Sequence, residues 1–340
     1  MQNIRKHASV ISMAAIIGLF TSMNAGACAT CGCTLNTDWQ SLEYTYMPGL
    51  KVDIRYDYLN QNQLRHGSGT ISPGAASKFV NNGNNQEVEK YTESNILTLG
   101  FDYSPNLDWG VNLQVPYIIR SHSTLGTESD GTTAGVNGPD GMQYDSHTSN
   151  LGDMRVIGRY QGFTSKHNLG VLFGFKLATG SYNENGNSTD PANPGPVPID
   201  RGLQPGSGTT DVIVGAYYND AINKSLGYFT QVMFQAPLYS TNDYRPGNSF
   251  KANLGLRYAG FDYIVPQIQL NFSDLQRDKG ANADNVSTGG TLLYISPGIV
   301  AAPSDRISLY AFVQLPLYQY LEGVQLAPRF IPSVGVRYAF

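Results

Sequence analysis

Length, composition and charge exclude several classes of protein for this chain. It has 340 residues and a formal net charge of −4, so it lacks the basic excess of nucleic-acid-binding proteins, and we expect no nucleic-acid partner. Its mean hydropathy is slightly negative, which argues against a bundle of apolar transmembrane helices.

The first 27 residues have the pattern of a secretory signal peptide. Arg5 and Lys6 supply a short positive region, residues 8–20 are apolar, and residues 25–27 (Ala-Gly-Ala) form a small-residue cleavage site. We expect the mature chain to begin at or near Cys28. Lipidation of Cys28 is the weaker alternative, because an alanine stands where a leucine is expected three residues earlier. Beyond this segment no apolar run approaches the roughly 20 residues that a spanning helix needs.

All three cysteines of the chain, Cys28, Cys31 and Cys33, stand together at the start of the predicted mature protein. We expect residues 28–49 to form a periplasmic N-terminal segment. Three thiolates this close can bind a soft metal such as Cu(I) or Zn(II), or two of them can form a disulfide in an oxidising compartment. A metal-binding or redox-active cluster would suit a periplasmic redox or metal partner. Covalent haem attachment is excluded at this motif, because Gly32 stands where a histidine is required.

Alternation of apolar and polar residues with a period of two repeats along the rest of the chain. The stretches 249–259 and 304–318 show it clearly, and in 50–59 four apolar residues interleave with four charged ones: Val52, Ile54, Tyr56 and Tyr58 with Lys51, Asp53, Arg55 and Asp57. These stretches reach 10 residues or more, whereas strands of soluble proteins average about 5–6. Such a length suits a tilted strand that crosses a bilayer.

Twelve stretches qualify as strands, and an even number is what a closed antiparallel barrel needs. They are 50–60, 91–103, 107–121, 150–163, 167–180, 209–221, 225–240, 249–259, 261–274, 289–301, 305–320 and 329–340. The connections alternate between short turns and long loops rich in Gly, Asn, Ser and Asp. The predicted fold is therefore all-β: a closed antiparallel transmembrane β-barrel of about 12 strands over residues 50–340, with short periplasmic turns and long extracellular loops. We interpret loops 122–149 and 181–208 as flexible and solvated.

Prolines within the proposed strands need an explanation, because proline cannot donate a ladder hydrogen bond. Pro116, Pro237 and Pro316 recur in a Gln-x-Pro pattern followed by a tyrosine, and we interpret them as rim positions beside an aromatic girdle, with bulges as a further way to absorb them. The chain ends in Phe340, and a terminal strand with a final phenylalanine resembles the signal that the outer-membrane barrel-assembly machinery recognises.

Charged residues on the polar faces must point inward, since an Arg or Lys facing lipid at mid-bilayer costs about 2–4 kcal/mol. A net-positive lumen would favour anions. Alternatively, the charges pair across strands and fill a narrow interior. The predicted lumen-lining residues are Lys51, Asp53, Arg55, Asp57, Arg120, Asp153, Arg155, Arg159, Lys176, Asp211, Lys251 and Arg257, and Asp102 and Arg337 share these faces.

Three segments resemble an outer-membrane family labelled "MetA-pathway of phenol degradation", a group of transporter-like proteins. The segments are residues 150–155 (Asn-Leu-Gly-Asp-Met-Arg), 203–211 (Leu-Gln-Pro-Gly-Ser-Gly-Thr-Thr-Asp) and 312–318 (Phe-Val-Gln-Leu-Pro-Leu-Tyr). The resemblance spans roughly residues 90–340. It implies a barrel and the passage of small molecules, often hydrophobic or aromatic ones, and it brings no catalytic residues. The cysteine cluster is not part of the general pattern of that family.

We therefore expect an outer-membrane channel of a Gram-negative bacterium that passes a small solute, hydrophobic or anionic, and that contacts membrane lipid. The alternative is a non-conducting outer-membrane scaffold that uses its cysteine cluster to bind a metal or a redox partner. A secreted soluble β-sandwich is a third possibility. We expect no enzyme, because no hydrolase or nucleotide motif occurs and no histidine is predicted beside a serine on the outer face.

Overall fold

The structure is a computed structural model that describes residues 48–76, 78–81, 84–85, 88–125, 143–188 and 195–340. The predicted signal peptide and the cluster of Cys28, Cys31 and Cys33 lie outside these ranges. No helix within them is long and apolar enough to cross a membrane.

Strands make up nearly all of the regular structure in these ranges. In chain order they are β1 (Gly49–Gly67), β2 (Gly69–Thr70), β3 (Val80–Asn81), β4 (Asn84–Asn85), β5 (Val88–Ser104), β6 (Trp109–Leu125), β7 (Gln143–Leu151), β8 (Arg155–Tyr160), β9 (Leu169–Lys176), β10 (Asn185–Ser188), β11 (Gly195–Pro198), β12 (Asp211–Ala221), β13 (Leu226–Pro237), β14 (Ser249–Tyr258), β15 (Ile264–Leu275), β16 (Gly290–Ser304), β17 (Ile307–Pro328) and β18 (Ile331–Ala339). One helical turn, α1 (Pro73–Ala76), and a short 3-10 helix (Arg201–Leu203) complete the elements of the part of the chain that the structure describes.

Twelve of the strands in the described ranges close into an antiparallel ring. The order around the wall is β6, β5, β1, β18, β17, β16, β15, β14, β13, β12, β9 and β8, and β8 pairs with β6 to complete the circle. β1 pairs with β18, so the first and last strands meet along the wall. The predicted fold class, a closed antiparallel barrel of 12 strands, is confirmed.

The barrel is apolar outside and polar inside. Leu254 and Leu309 on the outer face are 49% and 46% exposed, whereas Lys51 on the inner face is 3% exposed. This is the reverse of a soluble β-sandwich, in which apolar side chains face a shared core and charges face water. The exposed apolar surface matches the hydrocarbon layer of a membrane.

Aromatic side chains surround the end of the barrel that carries the short turns. The ring centroids of Trp109 and Tyr160 lie 4.7 Å apart, and Tyr160 also contacts Phe163. At the end of β18 the rings of Tyr338 and Phe340 are 4.8 Å apart. Such girdles mark the interface between hydrocarbon and water, where aromatic rings are favoured.

Three neighbouring strands of the wall are interrupted at one height. The descending strand breaks between β7 and β8, the ascending strand between β9 and β10, and the next descending strand between β11 and β12. Three glycines meet at this break, and a Cβ on Gly206 would lie only 2.4 Å from the carbonyl carbon of Gly180, while one on Gly180 would lie 2.9 Å from that of Gly152. Only residues without side chains can fill this junction.

Two of the three recurring prolines lie within strands rather than at the rim. Pro116 stands in the middle of β6, where the partner of β6 changes from β8 to β7, so the missing N–H falls in the interruption. Pro316 lies at a register shift between β16 and β17, which is a bulge. Pro237 does end β13, and the tyrosines that follow the three prolines, Tyr117, Tyr239 and Tyr318, are exposed.

The predicted loop 321–328 is instead a tight reversal followed by strand. Gly323 has φ +56°, a conformation that favours glycine, and the chain then descends beside the upper part of β1. After a break at residues 329–330 it continues as β18. The descending strand predicted as 329–340 therefore reaches much higher along the wall.

Candidate functional site

Ion pairs and hydrogen bonds join inward-facing side chains at the level of the short turns. Arg159 on β8 binds the carboxylate of Asp102 on β5 through both terminal nitrogens, with Nη2 2.8 Å from Oδ1, and both side chains are buried. On the opposite side of β1, the Tyr310 hydroxyl donates to the Asp53 carboxylate at 2.9 Å, and Arg337 Nε lies 3.7 Å from it. We call this set of five side chains the ion-pair layer.

A cavity of about 310 Å³ lies above the ion-pair layer, inside the upper half of the barrel. Its walls come from β1, β5, β6, β8, β9 and β12–β15, and loops 241–248 and 276–289 contribute Tyr244 and Asp278. Its roof is residues 199–209, which fold into the lumen and which we call the inner loop. Ile199, Leu203 and Thr209 of this loop are buried, so the loop packs inside the barrel.

A buried cluster of charges clamps the inner loop to the wall. Lys176 at the end of β9 lies between two carboxylates, with Nζ 2.9 Å from Asp153 and 3.2 Å from Asp211. Ser207 of the inner loop donates to Asp153 from its backbone N–H at 2.9 Å and from its hydroxyl at 2.7 Å. Thr209 donates to Asp211 at 2.8 Å. The ammonium group of Lys176 thus links the end of β9, the start of β12 and the residue before β8 to the inner loop.

Two arginines support the inner loop from other directions. Arg120 on β6 donates to the carbonyl oxygen of Leu203 at 2.7 Å and to the Ser94 hydroxyl at 2.9 Å. Arg201, within the loop, donates to the Tyr182 carbonyl oxygen at 3.1 Å, and its guanidinium stacks over the ring of Tyr244 with the centroid 4.8 Å away. Charged side chains therefore hold the inner loop in one position from several sides.

Asp278 is a buried carboxyl group in the loop beside the cavity. Its pKa is raised to about 6, mainly by burial and to a smaller extent by the nearby Asp284. Hydrogen bonds from the Gly247 N–H and the Tyr244 hydroxyl, both at 2.8 Å, act in the other direction. The loop contacts that surround the cavity therefore contain a group that titrates near neutral pH.

The structure places all twelve sequence-predicted lumen residues on the inner face of the barrel, at two heights. Eight of them line the cavity: Arg55, Asp57, Arg120, Asp153, Arg155, Lys176, Asp211 and Lys251. The other four, Lys51, Asp53, Arg159 and Arg257, lie closer to the short turns. Whether these side chains contact a solute stays a prediction.

Sequence reasoning missed the contribution of the long loops. Residues 199–208 were expected to be solvated, but the structure shows that they fold into the lumen, so this expectation is wrong for that part of the loop. Arg201 of this loop, and Tyr244 and Asp278 of loops 241–248 and 276–289, line the cavity without having been predicted. The only available signal was Ile199 and Leu203, two apolar residues in an otherwise polar stretch.

One histidine does lie beside a serine on the outer side of the wall, contrary to expectation. The Ser121 hydroxyl on β6 is 3.0 Å from Nδ1 of His147 on β7. In a hydrolytic triad the serine uses Nε2 of the histidine, and Nδ1 faces a carboxylate. The contact of Ser121 therefore uses the wrong nitrogen for that chemistry and fits a hydrogen bond between neighbouring strands.

The structural comparisons identify the same architecture in outer-membrane channels. An outer membrane channel from Pseudomonas putida F1 aligns with a TM-score of 0.58 at 14% identity, over 86% of this chain and 96% of the other. The deltaS2S3 mutant of the TodX monoaromatic hydrocarbon channel aligns with a TM-score of 0.51 at 10% identity, over 88% of this chain and 93% of the other. The CymD monoaromatic hydrocarbon channel gives 0.50 at 11%, over 93% and 94%.

Sequence comparisons add nothing to this result. No family model and no curated protein sequence matches the chain. At these identities the structural likeness establishes the fold alone, so a function has to be argued from the geometry of the lumen.

Proposed function

We propose that this protein is an outer-membrane channel of a Gram-negative bacterium for small, largely apolar solutes. The cavity carries the proposal, because it is a solute-sized space inside the lumen that the inner loop lines and that lies above the ion-pair layer. A volume near 300 Å³ lies at the lower end of the usual range for small-molecule sites. The names of the structural neighbours, two of them monoaromatic hydrocarbon channels, support the same class of solute.

Transport in this proposal requires movement of the inner loop. The loop covers the cavity from above, and its charged clamp on Lys176 is the contact that must be exchanged for the cavity to open. The resemblance of three sequence segments to the phenol-degradation family favours the same function. Targeting through a signal peptide and insertion through recognition of Phe340 by the assembly machinery belong to the proposal.

Uptake into vesicles tests the proposal directly. The folded protein, identified by its heat-modifiable migration on a gel, is placed in vesicles whose outer leaflet is lipopolysaccharide, because a phospholipid bilayer is itself permeable to apolar molecules. We expect uptake of a small neutral aromatic compound above that of protein-free vesicles, and more with a Lys176→Met variant that releases the inner loop. Uptake at the protein-free level for both proteins would contradict the proposal.

The function of the cysteine cluster remains a separate proposal. Replacement of Cys28, Cys31 and Cys33 by serine should abolish bound Zn(II) or Cu(I) if the cluster is a metal site. If the purified protein holds no metal and a thiol titration finds one free thiol, the disulfide alternative is correct.

A further inference from the structure

The charges around the cavity have an excess of one sign. Six cationic side chains line it, from Arg55, Arg120, Arg155, Lys176, Arg201 and Lys251, against four carboxylates, from Asp57, Asp153, Asp211 and Asp278. The whole chain is acidic, with 26 acidic and 22 basic residues, so the lumen departs from the average in the opposite direction. Below the cavity the inward-pointing charges continue the excess, with Lys51, Arg159, Arg257 and Arg337 against Asp53 and Asp102.

The four carboxylates of the cavity already have close partners within the protein. Asp57 receives hydrogen bonds from Arg55 at 2.8 Å and from Ser333. Asp153 and Asp211 share Lys176, and Gln235 donates to Asp211 at 2.6 Å. Because six cations stand against four carboxylates, the net charge of the cavity lining is positive by two, which favours an anion inside it.

Apolar side chains form a strip on one wall of the same cavity. Ile96 on β5 stands opposite Ile118 on β6 in the ladder, and Pro116 follows on the same inner face. β14 lies six strands away from β5 around the ring of 12, so Lys251 faces this strip from the opposite wall. A ligand that fits both surfaces has an apolar body and one anionic end.

We propose that the cavity is a binding site for a small amphipathic monocarboxylate, with its apolar body on the Ile96–Ile118 strip and its carboxylate toward Lys251 on the opposite wall. The volume of about 310 Å³ suits a body of one ring or a short chain. Lysine and arginine are the natural partners of a carboxylate, and a charge-assisted hydrogen bond is about twice as strong as a neutral one. The inference rests on the proposed channel function and specifies the solute class.

Equilibrium binding of matched probes tests the site. Fluorine NMR on the purified full-length protein in detergent compares 4-fluorobenzoate with 4-fluorobenzamide, a neutral compound of nearly the same shape, and trifluoroacetate tests an anion without the apolar body. We expect the benzoate to bind at least tenfold more tightly than either of the other probes. Equal binding of benzoate and benzamide would overturn the anionic part of the proposal, and equal binding of trifluoroacetate would overturn the apolar part.

Removal of a single charge locates the site. Lys251→Gln should weaken benzoate binding about tenfold and leave benzamide binding unchanged. Lys224→Gln is the matched control, because Lys224 is exposed in a short turn outside the lumen, and it should bind benzoate as the wild type does. Unchanged benzoate binding by the Lys251→Gln protein would refute the proposed site.

Uptake measurements separate this inference from the channel function. If benzoate and benzamide bind alike but vesicles still take up neutral aromatic compounds through the protein, the channel stands and the carboxylate specificity is wrong. If uptake of both classes stays at the protein-free level, even with the inner loop released, both proposals fail.

Discussion

Replacement of Lys176 by methionine should open the barrel by releasing the inner loop. Lys176 Nζ lies 2.9 Å from Asp153 and 3.2 Å from Asp211, and all three side chains are buried. Methionine keeps the length of the side chain but leaves two buried carboxylates facing each other without a cation. Removal of one partner from a buried ion pair typically costs about 3–5 kcal/mol. If this destabilisation acts only on the closed form, with the inner loop packed in the lumen, the ratio of open to closed forms rises on the order of a hundredfold or more.

Planar-bilayer recording measures this ratio as the fraction of time that a single channel conducts. Lys176→Arg is the first control, because it retains the cation and should remain mostly closed. A triple variant that adds Asp153→Asn and Asp211→Asn removes the carboxylate repulsion and should close more often than Lys176→Met alone. A Lys176→Met protein that migrates as a folded barrel but conducts no more than the wild type would refute the clamp.

Three further predictions follow from the close contacts of the fold. Gly206→Ala should displace the inner loop, destabilise its packed position by about 1–3 kcal/mol and raise conductance. Gly74→Ala, with open space around its Cβ, should leave the conductance unchanged. Arg159→Met should lower the stability of the barrel by about 3–5 kcal/mol, seen as unfolding at lower temperature in a gel-shift assay, because it removes the bidentate ion-pair partner of the buried Asp102. Lys166→Met, at an exposed ion pair, should not lower it. Asp278 has a raised pKa, so its protonated form stabilises the packed loop of residues 276–289. Protection of this loop from hydrogen exchange, corrected for intrinsic rates, should therefore be greatest below about pH 4 and fall as the pH rises past 6. Asp278→Asn should remove this pH dependence.

The barrel itself could be predicted because a membrane imposes period-2 alternation on every strand that crosses it. Residues 249–259 illustrate this, since Leu254 and Leu256 face outward while Asn253 and Arg257 face the lumen. The same argument predicted that the charged residues of the inner faces would share one enclosed space. It required only the backbone geometry of a strand and the free energy of a charge in hydrocarbon.

Strand segments above the membrane could not be predicted from this pattern. β7 begins at Gln143, and its residues 143–149 (Gln-Tyr-Asp-Ser-His-Thr-Ser) are polar on both faces. The exposed residues Asp145, His147 and Ser149 are polar, so no alternation of apolar and polar residues marks this part of the strand, which pairs with both β6 and β10. The upper part of β1, which was predicted to be loop from residue 61, extends to Gly67 for the same reason.

The inner loop escaped prediction because its environment is supplied by the rest of the barrel. Its sequence of glycines, prolines and polar residues is typical of a solvated connection. Its burial depends on hydrogen bonds with Lys176 on β9, Arg120 on β6 and Asp153 just before β8. Such partners are fixed by strand register, which a single sequence does not determine.

The meeting of β1 with the final strand has a consequence for the kinetics of folding. The Ser333 hydroxyl donates a hydrogen bond to Asp57 across a separation of 276 positions, and the ladder between β1 and β18 joins Lys51 to Ala339. Contacts of such high contact order form slowly, because the closure entropy of a very long loop must be overcome first. The first strand therefore keeps one edge without its final neighbour until the end of the chain is in place, and during that interval it is the edge most prone to pair with another molecule.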